Sequence, residues 1–390
     1  MHIHTVKRGE TIFHIARAYG TSPVKIIEHN GLARPETLMA GEELLICTPS
    51  RSYTVRGMET LGEIAERFSV KKSDLLRYNP ALGGMDAVRP SMTLSIKYAP
   101  PEFGMATNLG YVRKNTPTEK IRQALPYLSY FVFDIAIADG EDIYMHPMDK
   151  EKLDEVKRER KLALLRIETG EMKESFSQSQ RTRELFIERM IFTAKSYGYS
   201  GLVLSHDIFA LPTRRERDSF LLELRKLMLG SDLILFCECI GTDEFGDFAD
   251  ANILLPSILQ NTSEYSCEAR IHHIASVYET QKTFLGLPSY ARDGNTVISY
   301  ERMHDIAYQT KNEFLHTEDE VYFDYTRYVG GRRESERVRA LSLSGVVNIL
   351  AFLSEYGFMG CALEIDYFRA PYQMMLTLLF SGVEYAFGFV

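Results

Sequence analysis

Residues 198–207 read Gly-Tyr-Ser-Gly-Leu-Val-Leu-Ser-His-Asp. The Gly-Leu-Val-Leu run is short, apolar and flanked by turn residues, which reads as a strand buried on both faces. Strands of that kind occur in parallel sheets sheathed by helices. Runs of the same character recur at 106–112, 128–137, 162–167, 232–239, 250–255, 283–287 and 360–365, and helical patterns lie between them at 176–197, 214–229, 263–280 and 335–356. Eight strands alternating with helices over about 290 residues predict an α/β fold, a (β/α)8 barrel. The polar, aromatic-rich stretch at about 293–330, which holds Val-Tyr-Phe-Asp-Tyr-Thr-Arg-Tyr, predicts an insertion before the last strand.

In such a barrel the chemistry sits at the C-terminal strand ends. Ser205 and Asp207 are therefore candidate catalytic residues. Ser205, His206 and Asp207 do not make a hydrolase triad, because neighbours at a strand end point to opposite sides.

The front of the chain is a repeat. At an offset of 49, Thr5, Val6, Glu10, Thr11, Ile15, Ala16 and Asn30 recur as Thr54, Val55, Glu59, Thr60, Ile64, Ala65 and Asn79. After one inserted residue, Leu44 and Ile46 recur as Leu94 and Ile96. Each unit predicts a short strand, a helix capped by Thr11 or Thr60, a second short helix ending at Asn30 or Asn79, and a closing strand. Two small βααβ domains are expected, over 1–49 and 50–98, with a Pro-containing linker at 99–104 and the barrel over 105–390.

The pattern His-Thr-Val-x-x-Gly-Glu-Thr-Ile-x-x-Ile-Ala, followed by Ile-x-x-x-Asn and Leu-x-Ile, resembles the LysM module over 4–46 and 53–96. The resemblance implies binding of N-acetylglucosamine polymers, peptidoglycan or chitin, in a groove between two loops. On this chain those loops are Gly9, Glu10, Thr11 and Ile12 with Asn30, Gly31 and Leu32, and Glu59, Thr60 and Leu61 with Asn79, Pro80 and Ala81. Two weak sites on one chain gain avidity along a polymer. The alternative is a pair of modules kept for protein contacts. The second unit reads Arg-Gly-Met-Glu-Thr against Lys-Arg-Gly-Glu-Thr, so its glycine is displaced by one position.

The chain has 390 residues, enough for two or three domains and a sizeable core. Its hydrophobic and charged fractions, 45% and 25%, are those of a globular protein. A net charge of −8 argues against nucleic acid as a partner, since phosphate binding needs concentrated Lys and Arg. Five cysteines make no disulfide framework, and Cys237 and Cys239 read as two buried hydrophobes on one side of a strand. His272-His273 lacks the acidic or Cys spacing of a metal site, and neither a metal nor a cofactor is expected. The N-terminus has no apolar stretch of signal-peptide length, and no apolar run is long enough to span a membrane. Synthesis in the cytoplasm with spore or cell-wall association is the expectation.

The region 105–390 resembles glycoside hydrolase family 18, in the branch that carries N-terminal LysM modules in spore-forming bacteria. The resemblance rests on Leu-Gly-Tyr at 109–111, Asp-Gly at 139–140, Gly-Tyr-x-Gly-Leu at 198–202, Leu-Gly-Leu-Pro-Ser-Tyr-Ala at 285–291 and Glu-Tyr-Gly-Phe-Met-Gly at 355–360. It implies substrate-assisted cleavage beside N-acetylglucosamine, an exception to the two-carboxylate scheme. A Glu after the fourth strand protonates the leaving oxygen, and an Asp two residues earlier orients the acetamido group. Here Asp207 stands at the acid's position and Ser205 at the helper's.

Asp is one methylene shorter than Glu, and misplacing a proton donor by about 1 Å costs on the order of 10²-fold. A hydroxyl cannot supply the charge that balances the oxazolinium, at a cost of roughly 3 kcal/mol. The family's Met-x-Tyr-Asp after the sixth strand is absent from Ile253–Ser257, and Glu364 aligns with the Trp that floors the sugar site; the chain has no Trp at all. Tyr290, Phe133 and Tyr367 are the partial substitutes, and Tyr290 joins Asp207 and Ser205 as a catalytic candidate. Asp134, Glu168, Asp207, Glu238, Glu364 and Asp366 also lie near strand ends, so a rebuilt carboxylate pair stays open.

The expected function is binding of N-acetylglucosamine polymer by a wall- or spore-associated protein with a catalytically impaired barrel, Phe133, Asp134, Glu238 and Glu364 contributing to a sugar surface. The alternatives are an active N-acetylglucosaminidase or cortex-lytic hydrolase using Asp207, and a structural spore component.

Overall fold

The computed structural model describes residues 1–139, 142–145, 150–168, 180–207, 214–240, 248–260, 266–330 and 332–381. Eight parallel strands, Leu109–Val112, Tyr130–Asp139, Leu162–Glu168, Gly201–Leu204, Ile234–Cys239, Ala251–Leu254, Thr283–Gly286 and Gly360–Glu364, pair in chain order, and the last pairs with the first. Closure gives each of the eight a neighbour on both sides, and a further short strand, Asp142–Met145, pairs antiparallel with the end of Tyr130–Asp139. The seven runs read around Gly201–Leu204 are all strands of this barrel.

Because strand side chains alternate, the interior is layered. Tyr111, Val132, Leu164, Val203, Phe236 and Ala362 fill it with apolar volume. Two residues further along the same strands stand Arg113, Asp134, Arg166, Ser205, Glu238 and Glu364. An apolar plug therefore carries a polar and charged layer on top, at the C-terminal mouth. The opposite strand faces pack against the helices, among them Gln180–Tyr197, Arg214–Met228, Cys267–Val277 and Leu343–Glu355.

Between the last two barrel strands lies an antiparallel sheet of Ala291–Asp293, Thr296–Ile298, Leu315–His316, Glu320–Val329 and Arg332–Leu341, with the helix Tyr300–Thr310 on one side. The helix expected over 335–356 is thus a strand up to Leu341 and a helix only from Leu343. The charges of this stretch are paired across strands. Arg337 is bidentate to Asp324 at 2.7 and 2.9 Å, and Arg327 reaches Glu336 at 2.7 Å.

Each N-terminal unit is βααβ: His2–Thr5, Ile12–Ala18, Pro23–Asn30 and Glu43–Ile46, then Arg51–Thr54, Leu61–Phe68, Lys72–Tyr78 and Thr93–Lys97. Both units lie against the barrel. Leu45, Cys47 and Tyr98 belong to the barrel's outer core, and Met39 packs on the core of the insertion. The stretch expected as a linker is a stitched seam. Phe103 N–H donates to the Leu379 carbonyl at 2.9 Å, and Ser381 N–H to the Gly104 carbonyl at 3.1 Å.

The firmest joint is Glu43, whose carboxylate accepts from Leu343 N–H (2.5 Å) and the Ser344 hydroxyl (2.8 Å) at the start of the helix Leu343–Glu355. Removing it leaves buried donors without an acceptor. Glu43→Ala should therefore lower stability by about 2 kcal/mol in denaturant unfolding. A change under about 0.5 kcal/mol would mean that docking of the first unit does not support the barrel.

Candidate functional site

The charged layer at the mouth is organised by two arginines. Arg166 sits near the end of the third barrel strand and is buried. Its Nε donates to Glu238 Oε1 at 2.7 Å and its Nη2 to Glu238 Oε2 at 3.0 Å, a bidentate pair. Nη2 also donates to Ser205 Oγ at 2.9 Å. Nη1 donates to Asp134 Oδ1 at 2.8 Å and to Glu168. Arg113, just past the first strand, holds Glu364 through Nε (2.9 Å) and Nη2 and reaches the other oxygen of Asp134 through Nη1. Asp134 thus bridges the two guanidiniums.

Glu238 is 1% exposed. Besides Arg166 it accepts from the Tyr111 hydroxyl at 2.8 Å and from His206 N–H at 3.3 Å, with His206 Nδ1 at 3.5 Å. Burial pushes its pKa up, but His206, Arg166 and Tyr111 outweigh burial and hold it at about 2. At neutral pH it is a carboxylate with no proton to give and no free direction from which to accept. The same contact, with Glu238 as acceptor, raises the His206 pKa. The Glu364 pKa is raised, first by burial, against the pull of Arg113.

The structure brings Ser205, Asp134, Glu238 and Glu364 together at the mouth, with Asp207 just after the fourth strand and partly exposed. Tyr290 stands at the rim, 5.8 Å from Tyr367 and edge-on to it. Phe133 is a correction. It is 2% exposed in the layer between strands and helices, 5.8 Å from the ring of Tyr199. Asp134 faces in, so its neighbour must face out, and Phe133 has no access to a sugar.

Arg113, Arg166 and Tyr111 were missed. The signal was present: Arg166 has the parity of Leu164, so an inward, buried guanidinium had to find carboxylates. Cys237 and Cys239 lie buried on the outer face of their strand, as two small hydrophobes.

In the N-terminal units most of the expected side chains serve the fold. Asn30 amide donates to the Ile26 and Leu45 carbonyls and its oxygen accepts from Leu45 N–H; Asn79 does the same with Leu75 and Ser95. Glu10 braces its turn through Lys7 N–H (2.7 Å) and His4 (2.9 Å), and Glu59 does so through Arg56 N–H (2.8 Å) and Tyr53. Thr11 and Thr60 cap the first helices, while Ile12 and Leu61 are buried. Pro80 opens a 3-10 turn, and Leu32 packs on the first unit's core. Gly9 (φ +81°), Gly31 and Ala81 are exposed, Gly31 next to Ala370 of the barrel's last helix. In the second unit Gly57 (φ +68°) takes over the turn one residue earlier.

Two modules of this kind ahead of a closed parallel barrel define the class: two small LysM-type domains followed by a (β/α)8 barrel. The LysM domain model matches residues 4–46 and 53–97. The cortical fragment-lytic enzyme of Bacillus anthracis is 37% identical over 54 residues, 14% of this chain and 13% of that protein. The sporulation-specific protein YdhD of Bacillus subtilis is 25% identical over 245 residues, 60% of this chain and 57% of that one. The chain thus aligns with little of the first relative and just over half of the second. The crystal structure of the spore cortex-lytic enzyme SleL of Bacillus megaterium superposes with a TM-score of 0.72 over 97% of each chain at 17% identity, which establishes a shared fold.

Among the described residues no helix is long and apolar enough to cross a membrane, and no cluster of His, Cys, Asp and Glu could hold a metal ion.

Proposed function

We propose that this protein binds N-acetylglucosamine-containing wall polymer, of peptidoglycan or spore-cortex type, through its LysM modules, and that its barrel is an arginine-locked derivative of a family 18 glycosidase with impaired hydrolysis. The observation that carries the second part is the 2.9 Å bond from Arg166 to Ser205. Substrate-assisted cleavage needs a carboxylate at that position, aimed at the acetamido nitrogen as positive charge develops there. Here a neutral hydroxyl accepts a hydrogen bond from a guanidinium, so the charged group next to that position is a cation instead of an anion. Glu238, the best placed replacement anion, is saturated by four donors and stays ionised far below neutral pH. The family's aromatic floor is replaced by the Arg113–Glu364 pair, a surface against which a sugar's C–H face gains little.

The relatives named for spore and cortex-lytic roles support wall or spore polymer as the ligand class. Purified protein should be pulled down by peptidoglycan and released by soluble N-acetylglucosamine oligomers. It should also leave those oligomers and cortex fragments uncut. Deleting 1–98 is a poor control, because it would strip Leu45, Cys47 and Tyr98 from the barrel's core. Gly9→Asp with Ala81→Asp places charge on one exposed loop of each module and should abolish capture, with far-UV circular dichroism and the melting temperature reading out the strain that a side chain adds at φ +81°. Turnover that disappears in Asp207→Ala would replace this reading with an active hydrolase.

A further inference from the structure

The two N-terminal modules are not held alike. In the first, both loops of the expected groove are fastened to the barrel's insertion: Arg8 pairs with Glu313, and Arg34 with Asp305. Exposed ion pairs are weak singly, but backbone contacts run between these two. Phe314 N–H donates to the Ala40 carbonyl at 2.9 Å, and the His316 ring lies 2.7 Å from the Gly41 carbonyl. A Cβ on Gly41 would meet the Phe314 carbonyl at 2.0 Å, so only glycine permits this approach. Between the 30–34 loop and the helix Tyr300–Thr310 about 70 Å³ remains, room for a few waters and none for a sugar ring.

The second module lacks these fastenings. At the repeat's offset of 49, Arg8 becomes Gly57 and Arg34 becomes Gly83. This module meets the barrel through Arg77, whose carbonyl accepts from the Tyr127 hydroxyl at 3.2 Å, and through Gly84, where a Cβ would meet the Arg122 carbonyl at 2.0 Å. Its first loop is braced from within. Glu59 accepts from Arg56 N–H at 2.8 Å, from Tyr53 and from Arg67, all of the same module. At the lip of that loop, where the first module has Gly9, stands Met58. It is 94% exposed, more than any other large apolar side chain among the described residues. A long, flexible apolar side chain in that position gains from being covered. Ala81, on the second loop, is exposed as well.

We propose that the modules divide the work: the first is a fixed joint on the barrel, and the second alone takes up polymer, with Met58 packed on the C–H face of an N-acetylglucosamine ring. This rests on the glycan-binding reading above and narrows it to one module.

The test measures capture of the full chain on peptidoglycan, and the methyl NMR signal of Met58, assigned by its loss in Met58→Leu, during titration with N-acetylglucosamine oligomers. Met58→Asp and Ala81→Asp should each weaken capture at least about tenfold, since a carboxylate there displaces an apolar contact, while the melting temperature stays as in the native protein. Met58→Leu should keep capture, because it keeps the apolar volume. Ala33→Asp puts the same charge on an exposed position of the first module's second loop and should leave capture unchanged. The Met58 methyl of the native protein should shift as oligomer is added, a readout that needs no variant to fold. Capture weakened by Ala33→Asp, capture that survives Met58→Asp, or a Met58 signal unmoved by oligomer while peptidoglycan is still captured overturns the proposal. A native protein that peptidoglycan does not capture would instead remove the glycan-binding reading on which it rests.

Discussion

Arg166→Met should cost about 3–5 kcal/mol of stability at pH 7, because it leaves Glu238 ionised, buried and without its cation. In a thermal melt this corresponds to a fall of roughly 10 °C. Adding Glu238→Gln should recover much of the loss, since the damage lies in the orphaned charge rather than in lost volume. The pH profile makes the test specific. Glu238 has its folded pKa lowered to about 2 from an ordinary 4.5. Its stabilising contribution is therefore complete above about 4.5 and is lost as pH falls towards about 2, a swing of about 3 kcal/mol. His206 runs the other way. Its folded pKa is raised above 6.5, so its contribution is present below 6.5 and fades as pH rises through the raised value. The native mouth is then tightest between these limits, and the gap between native protein and Arg166→Met should shrink on acidification from pH 5 to pH 2. A gap that is equal at both ends, or under 1 kcal/mol at pH 7, would show that the network does not anchor the barrel.

The barrel was legible because it rests on local pattern. Apolar runs of strand length locate all eight strands, and the repeat locates both modules without any knowledge of contacts. The stretch 332–341 failed because its Arg and Glu residues balance equally well as a helix face or as a cross-strand ladder, and only Glu320–Val329 alongside decides between them. Phe133 and Asp134 could not both face the mouth, and alternation alone settles which does. The lock itself was out of reach. Arg113 and Glu364 are 251 positions apart, and Arg166 and Glu238 are 72 apart, so no periodicity links them. Sequence supplied the carboxylates at the strand ends, but not the cations that consume them. The modules misled in the opposite direction. Asn30 and Asn79 recur because they close the fold's own backbone, which leaves exposed loop positions such as Gly9 and Ala81 for the proposed polymer contact.

That lock also decides what rewriting the motif would do. Ser205→Asp with Asp207→Glu restores the family 18 letters at the helper and acid positions, and a barrel that had lost only those two residues should regain turnover. A positioned acid is worth about 10²–10⁴-fold, so recovery would be plain in an oligosaccharide assay. The structure leads to the contrary expectation, a rate within about tenfold of background. Arg166 Nη2 already donates to the residue at 205, and a carboxylate there would take that bond as an ion pair. Drawn towards Arg166, it would sit beside Glu238 in a layer that holds Asp134, Glu168 and Glu364 against two guanidiniums. Like-charge crowding would raise the new group's pKa and turn it from the acetamido site. The Arg113–Glu364 pair would still stand where the proposed sugar site needs an aromatic floor. Efficient cleavage by this double variant would mean that Arg166 yields its contacts readily, and the mouth would then have to be treated as a glycosidase site two substitutions from activity.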